Sequence, residues 1–110
     1  MLVMGRWDKE VLILLLSGRF DKTARVPVET ALAEIESRSC KHVIFDFSKV
    51  SSLDSAGIGK LLLLYYALRK KNVALSVMNP RASVEAILHV VNLASVIPIT
   101  QRKTPVRSVA

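Results

Sequence analysis

Three β-compatible, largely apolar runs dominate the chain: Val11–Leu16, Lys41–Phe47 and Val73–Met78. Runs of this length and composition are the signature of buried strands. Between them lie stretches with helical spacing. Pro27 suits the start of a helix over Val28–Ser37, which sets Val28, Ala31, Leu32 and Ile35 on one face. A second helix runs from Ser55 to about Arg69. A third, over Arg81–Val91, aligns Val84, Ile87, Leu88 and Val91, with Ser83 or Asn79 as its cap. Strands joined through helices pair in parallel by right-handed crossovers, so an α/β sheet follows. Leu2–Trp7 reads as a short edge strand before a turn at Asp8-Lys9-Glu10. Ser17-Gly18 and Asn79-Pro80 mark strand ends, and a last short strand falls near Ile97–Thr100. After His42 the second run shows almost no polar alternation, which predicts a central strand covered on both sides. The polar stretch after Phe47 reads as a loop.

A chain of 110 residues supports one core, and 51% hydrophobic residues exclude general disorder. Residues 1–100 read as a single domain and 101–110 as a basic, flexible C-terminal tail carrying Arg102, Lys103 and Arg107. The longest apolar stretches, Val11–Leu16 and Leu61–Leu68, fall far short of the roughly 20 residues a membrane span needs. Met1–Trp7 lacks the pattern of a signal peptide, so the expected location is the cytoplasm. Cys40, the single cysteine, has no partner for an internal disulfide. The net charge of +7 suits nucleic acid, anionic lipid or an acidic protein. No nucleic-acid motif accompanies it and aromatic residues are few, so direct nucleic-acid binding is not expected.

The segment with the most chemical content is Asp54-Ser55-Ala56-Gly57-Ile58-Gly59, which opens the second helix. A helix N-terminus offers unpaired N–H groups and the positive end of the macrodipole. A hydroxyl there caps the helix when bare and is well placed to carry a phosphate. Ala56, Gly57 and Gly59 are small, so another protein could approach Ser55 closely. Ser55 is thus a cap, a nucleophile or a phosphorylation switch. The nucleophile reading is poor, because Leu53 stands where a nucleophile elbow has its first glycine. Both histidines are also remote in sequence: His42 begins a strand at the end opposite Ser55, and His89 sits late in another helix. A phosphate-binding loop fails on spacing, with Leu61 after Gly59-Lys60. The dinucleotide fingerprint lacks its third glycine. No metal-ligand cluster is present, and no catalytic residue or cofactor is expected.

The second helix carries more apolar residues than one face can bury. Ile58, Leu61, Leu64, Tyr65 and Leu68 form the sheet-facing side. Leu63 and Tyr66 fall outside it, so they pack under another element or mark a contact surface.

Phe45-Asp46-Phe47 followed by Val50-Ser51-Ser52-Leu53-Asp54-Ser55-Ala56-Gly57-Ile58-Gly59 resembles the signature of the STAS domain, and in particular of the bacterial anti-sigma factor antagonists. Leu14–Asp21 is similar to the family's second strand and the turn after it, Val73–Pro80 to its fourth strand and the approach to the third helix, and Val84–Val91 with Leu93 to the helix and hydrophobic segment that close the domain. The resemblance implies a mixed sheet of four to five strands with three or more helices, mainly on one face. It implies that Ser55 is phosphorylated by a partner kinase that is also an anti-sigma factor, with Asp54 helping to position it. Asp54, Ser55, Ala56, Gly57, Ile58 and Gly59, with Leu63 and Tyr66, are then the partner-binding residues. The implied function is that of an anti-anti-sigma factor, not an enzyme, switched by a serine kinase and a phosphatase. The alternative is a structural STAS subunit of a transporter complex or signalling scaffold, with Ser55 a mere cap and the basic surface lying near anionic lipid.

Overall fold

The computed structural model describes residues 1–101, so the expectation of a flexible tail over 102–110 lies outside the described residues. Strand β1 (Leu2–Asp8) and strand β2 (Val11–Phe20) form an antiparallel hairpin closed at Asp8↔Val11, with Lys9 at φ 56° in the turn. β2 then pairs in parallel with β3 (His42–Leu53), β3 with β4 (Ala74–Met78), and β4 with the two-residue β5 (Ile99–Thr100). The spatial order β1-β2-β3-β4-β5 equals the chain order, giving the mixed sheet of five strands. Helices α1 (Arg25–Leu32), α2 (Ser55–Arg69) and α3 (Ala82–Val90) connect the parallel strands.

One sheet face carries the core. Leu12, Leu14 and Leu16 of β2, Val43, Phe45 and Phe47 of β3, and Leu75 and Val77 of β4 are buried on it. Val28 and Leu32 of α1, Leu61, Leu64 and Leu68 of α2, and Val84 and Leu88 of α3 join them in one cluster. Phe20 lies 5.5 Å from Phe47 and 6.5 Å from Phe45 between ring centroids, a spacing favourable for tilted aromatic pairs. Ile13, Leu15 and Ile44 point to the opposite face and stand outside that cluster. The expected double coverage of the central strand is therefore wrong. The run Val43–Phe47 looked apolar throughout because Ile44 lies on the second face, where half-exposure suffices.

Three further expectations are corrected. The polar stretch Ser48–Ser52 is strand, because β3 continues to Leu53 and pairs with the end of β2 through Gly18↔Val50 and Phe20↔Leu53. Burial of Phe20, Val50 and Leu53 holds this extension in place. Ser17-Gly18 is accordingly an irregularity in β2 and not its end: Gly18 takes φ 109°, which a side chain would resist. Second, the first helix begins at Arg25 and its final turn is a 3-10 segment, Ala33–Glu36. A short 3-10 turn, Lys22–Ala24, precedes it, capped by the Asp21 side chain accepting from the Thr23 N–H at 2.9 Å. Pro27 thus sits within the first turn of α1, where its missing N–H costs nothing. Third, the residue capping α3 is Arg81, with no side-chain bond to the helix; its Nε donates to the Ser48 carbonyl at 3.2 Å.

No described helix is long and apolar enough to cross a membrane.

Candidate functional site

β3 ends at Leu53, and Asp54 turns the chain in an extended conformation (φ −112°, ψ −176°) into α2. The Asp54 carboxylate accepts the Gly57 N–H at 2.8 Å, and the Asp54 carbonyl accepts the Ile58 N–H at 2.9 Å. The cap is therefore Asp54 and not the Ser55 hydroxyl. A carboxylate at this position reaches the third N–H of the helix and also meets its positive end. Ser55 is the first helical residue, exposed, and its hydroxyl has no hydrogen-bond partner among the described residues. Ala56 beside it is exposed too.

Gly57 turns out to face inward. A Cβ there would lie 2.1 Å from the Phe20 carbonyl oxygen and 2.9 Å from Leu53 Cδ1. The absence of a side chain lets the start of α2 seat directly on the ends of β2 and β3. Gly57 thus shapes the site without offering a surface, contrary to the expectation that a partner approaches it. Gly59 has no atom within 4 Å of a built Cβ, so it lies against open space. Ile58 is half-buried against the core.

Farther along α2, Leu63 is 67% and Tyr66 52% exposed, so no other described element covers them. Leu61, Leu64 and Leu68 are buried, with Ile58 and Tyr65 packed at the edge of the core, as the helical wheel predicts. Ala56, Gly59, Lys60 and Leu63 line a shallow depression of about 320 Å³ together with Asp21, Lys22 and Arg25. The sequence did not foretell this second wall. It is built by the 3-10 turn and the start of α1, and its one local signal is the capping pair Asp21 and Thr23.

Charges around the depression are ordered. Glu29 of α1 pairs with Lys60 of α2 and, at 3.5 Å, with Arg25. The Lys60 hydrogen bond is the main reason the Glu29 carboxyl is held below its ordinary range. Asp21 is lowered likewise, first by the Thr23 hydroxyl. Lys22 forms no ion pair among the described residues, and Arg19 stands 3.8 Å from Asp21. The rim of the site is net basic.

No histidine stands near Ser55. His42 starts β3, a whole strand away, with Nε2 2.8 Å from the Ser76 hydroxyl; His89 pairs with Glu85 at 3.7 Å on α3. Among the described residues no group of three His, Cys, Asp or Glu is placed to hold a metal ion. What the site presents is an unpartnered hydroxyl on a capped helix, beside a small apolar and basic depression.

Comparisons with known proteins bear on the fold and the family. A search of curated protein sequences finds no significant match. Solved structures do match. An anti-sigma factor antagonist, SpoIIAA in its unphosphorylated form, superposes with a TM-score of 0.76 at 18% identity, covering 94% of this chain and 90% of that one. A putative anti-sigma factor antagonist from Thermotoga maritima gives 0.79 at 17% identity, covering 91% and 86%. One from Mycobacterium paratuberculosis gives 0.75 at 21% identity, covering 90% and 84%. These likenesses show the fold. The family model of the STAS domain matches residues 6–104, a span that takes in the end of β1, the other four strands and the Asp54–Gly59 turn. The chain belongs to the STAS domain family.

Proposed function

We propose that this protein is an anti-anti-sigma factor that works by partner switching, with Ser55 as the phosphorylated residue. The observation that carries the reading is the Ser55 hydroxyl: exposed, unpartnered among the described residues, and set at the first position of a helix whose cap is supplied by another residue. A hydroxyl needed for capping would be a poor phosphoacceptor. Here the Asp54 carboxylate takes that task and leaves Ser55 free. One of the solved relatives, SpoIIAA of Bacillus, is described in its phosphorylated form and superposes with a TM-score of 0.65.

In this reading the unphosphorylated protein binds an anti-sigma factor serine kinase. The contact uses Asp54, Ser55, Ala56, Ile58 and Gly59, and extends along α2 to Leu63 and Tyr66. Gly57 contributes by letting the helix start lie low on the sheet. The basic rim of Lys22 and Arg25 suits acidic groups on the partner. Phosphorylation adds about −1.5 to −2 charge at the helix N-terminus, which tolerates it, so the domain stays folded. The same charge beside Asp54, and beside acidic partner groups, weakens the complex. A loss of about 3 kcal/mol corresponds to more than a hundredfold in affinity. A phosphatase restores the first state. The protein is the substrate of two enzymes and not itself one, and it works in the cytoplasm.

The exposed Leu63 and Tyr66 with the basic surface also suit a permanent subunit of a transporter or scaffold. Calorimetric titration of the partner kinase with wild type and Ser55→Asp separates the two. Partner switching requires a loss of affinity in Ser55→Asp of at least about tenfold, or about 1.4 kcal/mol. Equal affinities would leave Ser55 without a switching role.

A further inference from the structure

β1 stands at one edge of the sheet with β2 as its only strand neighbour. Among the described residues no hydrogen bond joins the β1 backbone to any other element. Alternate residues of a strand turn their N–H and C=O to opposite sides, so half of β1 addresses solvent. Gly5 shows this directly: it is exposed, and without a side chain its exposure is that of the backbone. Natural edges are commonly blunted by bulges or prolines. Here the seven pairs with β2 run without a register shift, and the strand contains no proline.

Gly5 also leaves space on both faces of this edge. It faces the helices, because a Cβ there would lie 3.1 Å from Leu14 Cδ2 and 3.6 Å from Leu12 Cδ1, both core residues. A hollow of about 500 Å³ opens at that point, between Val3 and Leu14 on the sheet and Pro27, Thr30 and Ala31 of α1. On the opposite face Met4 and Arg6 lie beside Leu15 and Ile13, their partners in β2, and with Asp46 border a second hollow of about 220 Å³. Gly5 borders both. A glycine in the middle of a strand often marks the close approach of another backbone.

From this we infer a docking site on β1, separate from the Ser55 face and independent of its role, that takes an extended, acidic segment of a partner protein as an added antiparallel strand. Bare backbone with room on both faces matches an extended peptide, whose side chains alternate in the same way. Directly opposite residues share a face. The residue opposite Gly5 therefore points into the hollow at Pro27 and Ala31 and is aromatic, since a ring laid across a bare glycine covers its backbone. Its neighbours lie on the other face. The one opposite Met4 is apolar and the one opposite Arg6 is acidic. Arg6 forms no ion pair among the described residues, nor does Lys9 in the adjoining turn, nor Arg38, stacked on Trp7 at 4.0 Å. A second copy of this chain fits less well. Pairing two β1 strands about their midpoint sets Gly5 against Gly5, leaves the hollow unfilled and brings together two chains of charge +7.

The test uses the ¹⁵N-labelled full chain and three acetylated, amidated pentapeptides: Thr-Glu-Phe-Val-Thr, its Gln analogue at Glu, and its Ala analogue at Phe. The first is expected to shift the amides of residues 3–7 and to slow hydrogen exchange at alternate amides of β1. The Ala analogue is expected to bind about tenfold more weakly, through loss of the buried ring. The Gln analogue is expected to bind about three- to fivefold more weakly, the scale of one partly exposed ion pair. Arg6→Gln, a surface change, is expected to erase that last difference. Shifts centred elsewhere would overturn the proposal, as would shifts without slowed exchange in β1 or equal binding of the three peptides. Sedimentation of the free protein completes the test. A dimer whose β1 amides are already protected would assign the edge to a second copy and overturn the acidic partner.

Discussion

Replacing Gly57 with alanine tests the seating of α2 in a way that a surface role cannot imitate. The added Cβ would stand 2.1 Å from the Phe20 carbonyl oxygen, 3.0 Å from the Phe20 carbonyl carbon and 2.9 Å from Leu53 Cδ1. The leucine tip can rotate aside, but the Phe20 carbonyl belongs to the paired end of β2, at Phe20↔Leu53. Relief requires the helix start to lift by about 1 Å, which disturbs Phe20 and the rings it contacts at 5.5 and 6.5 Å. Overpacking of this kind costs about 1–3 kcal/mol and sometimes more. The helical preference of alanine over glycine returns about 0.5–1 kcal/mol. A rigid carbonyl places the strain at the upper end, so the expected net loss is about 2 kcal/mol, or a fall in Tm of about 8–16 °C for a domain of this size. Gly59→Ala is the control. It meets open space two residues later in the same helix, so alanine there should stabilise by about 0.5–1 kcal/mol. Urea and thermal melts followed by circular dichroism measure both. A Gly57→Ala protein as stable as wild type would refute the close contact, and Gly57→Leu is expected not to fold.

Other consequences can be checked with the same melts. Asp54→Ala should cost about 1 kcal/mol, the value of a lost N-cap, whereas Ser55→Ala should fall within about 0.5 kcal/mol because the hydroxyl caps nothing. A larger loss in Ser55→Ala would show a structural role for the hydroxyl. Leu63→Lys should stay within about 0.5–1 kcal/mol of wild type while weakening partner capture, and Leu61→Lys should unfold the domain by burying an unpaired charge. Burial lowers the pKa of His42 below its ordinary value of 6.5. The unfolded chain then binds the proton more readily than the folded one, so stability is full above about pH 6.5 and declines as pH falls through that value. His42→Gln should flatten this decline, and an unchanged slope in that variant would assign it to another group.

Much of the fold could be read from residue order because its strands and helices differ so plainly in period. α2 was legible to the residue, since Ser55–Arg69 is bounded by a capping turn and a run of cations. Its buried set, Leu61, Leu64 and Leu68, followed from spacing alone. The errors arose where tertiary contacts overrule local pattern. Ser48–Ser52 looks like a loop, yet Val50 and Leu53 are drawn into strand geometry by β2 and by the Phe20 cluster. Val43–Phe47 looks buried on both sides, yet among the described residues no helix packs its core on the second face, and periodicity cannot distinguish half-burial from full burial. At the candidate site, the start of α2 at Ser55 was legible from its neighbours, but the division of labour between Asp54 and Ser55 depends on a 2.8 Å bond that sequence does not reveal. Gly57 seemed small for a partner's sake. The Phe20 carbonyl that explains it is 37 residues away in the chain.

The central claim is that Ser55 is the residue through which this domain is switched. Its most direct test is incubation of the purified protein with its cognate serine kinase and ATP, followed by mass mapping of the modified peptide. One phosphate on Ser55, absent from Ser55→Ala while that variant keeps the wild-type circular dichroism spectrum, is the predicted result. Phosphate on Ser51 or Ser52 with Ser55 unmodified, or undiminished labelling of Ser55→Ala, would contradict the account.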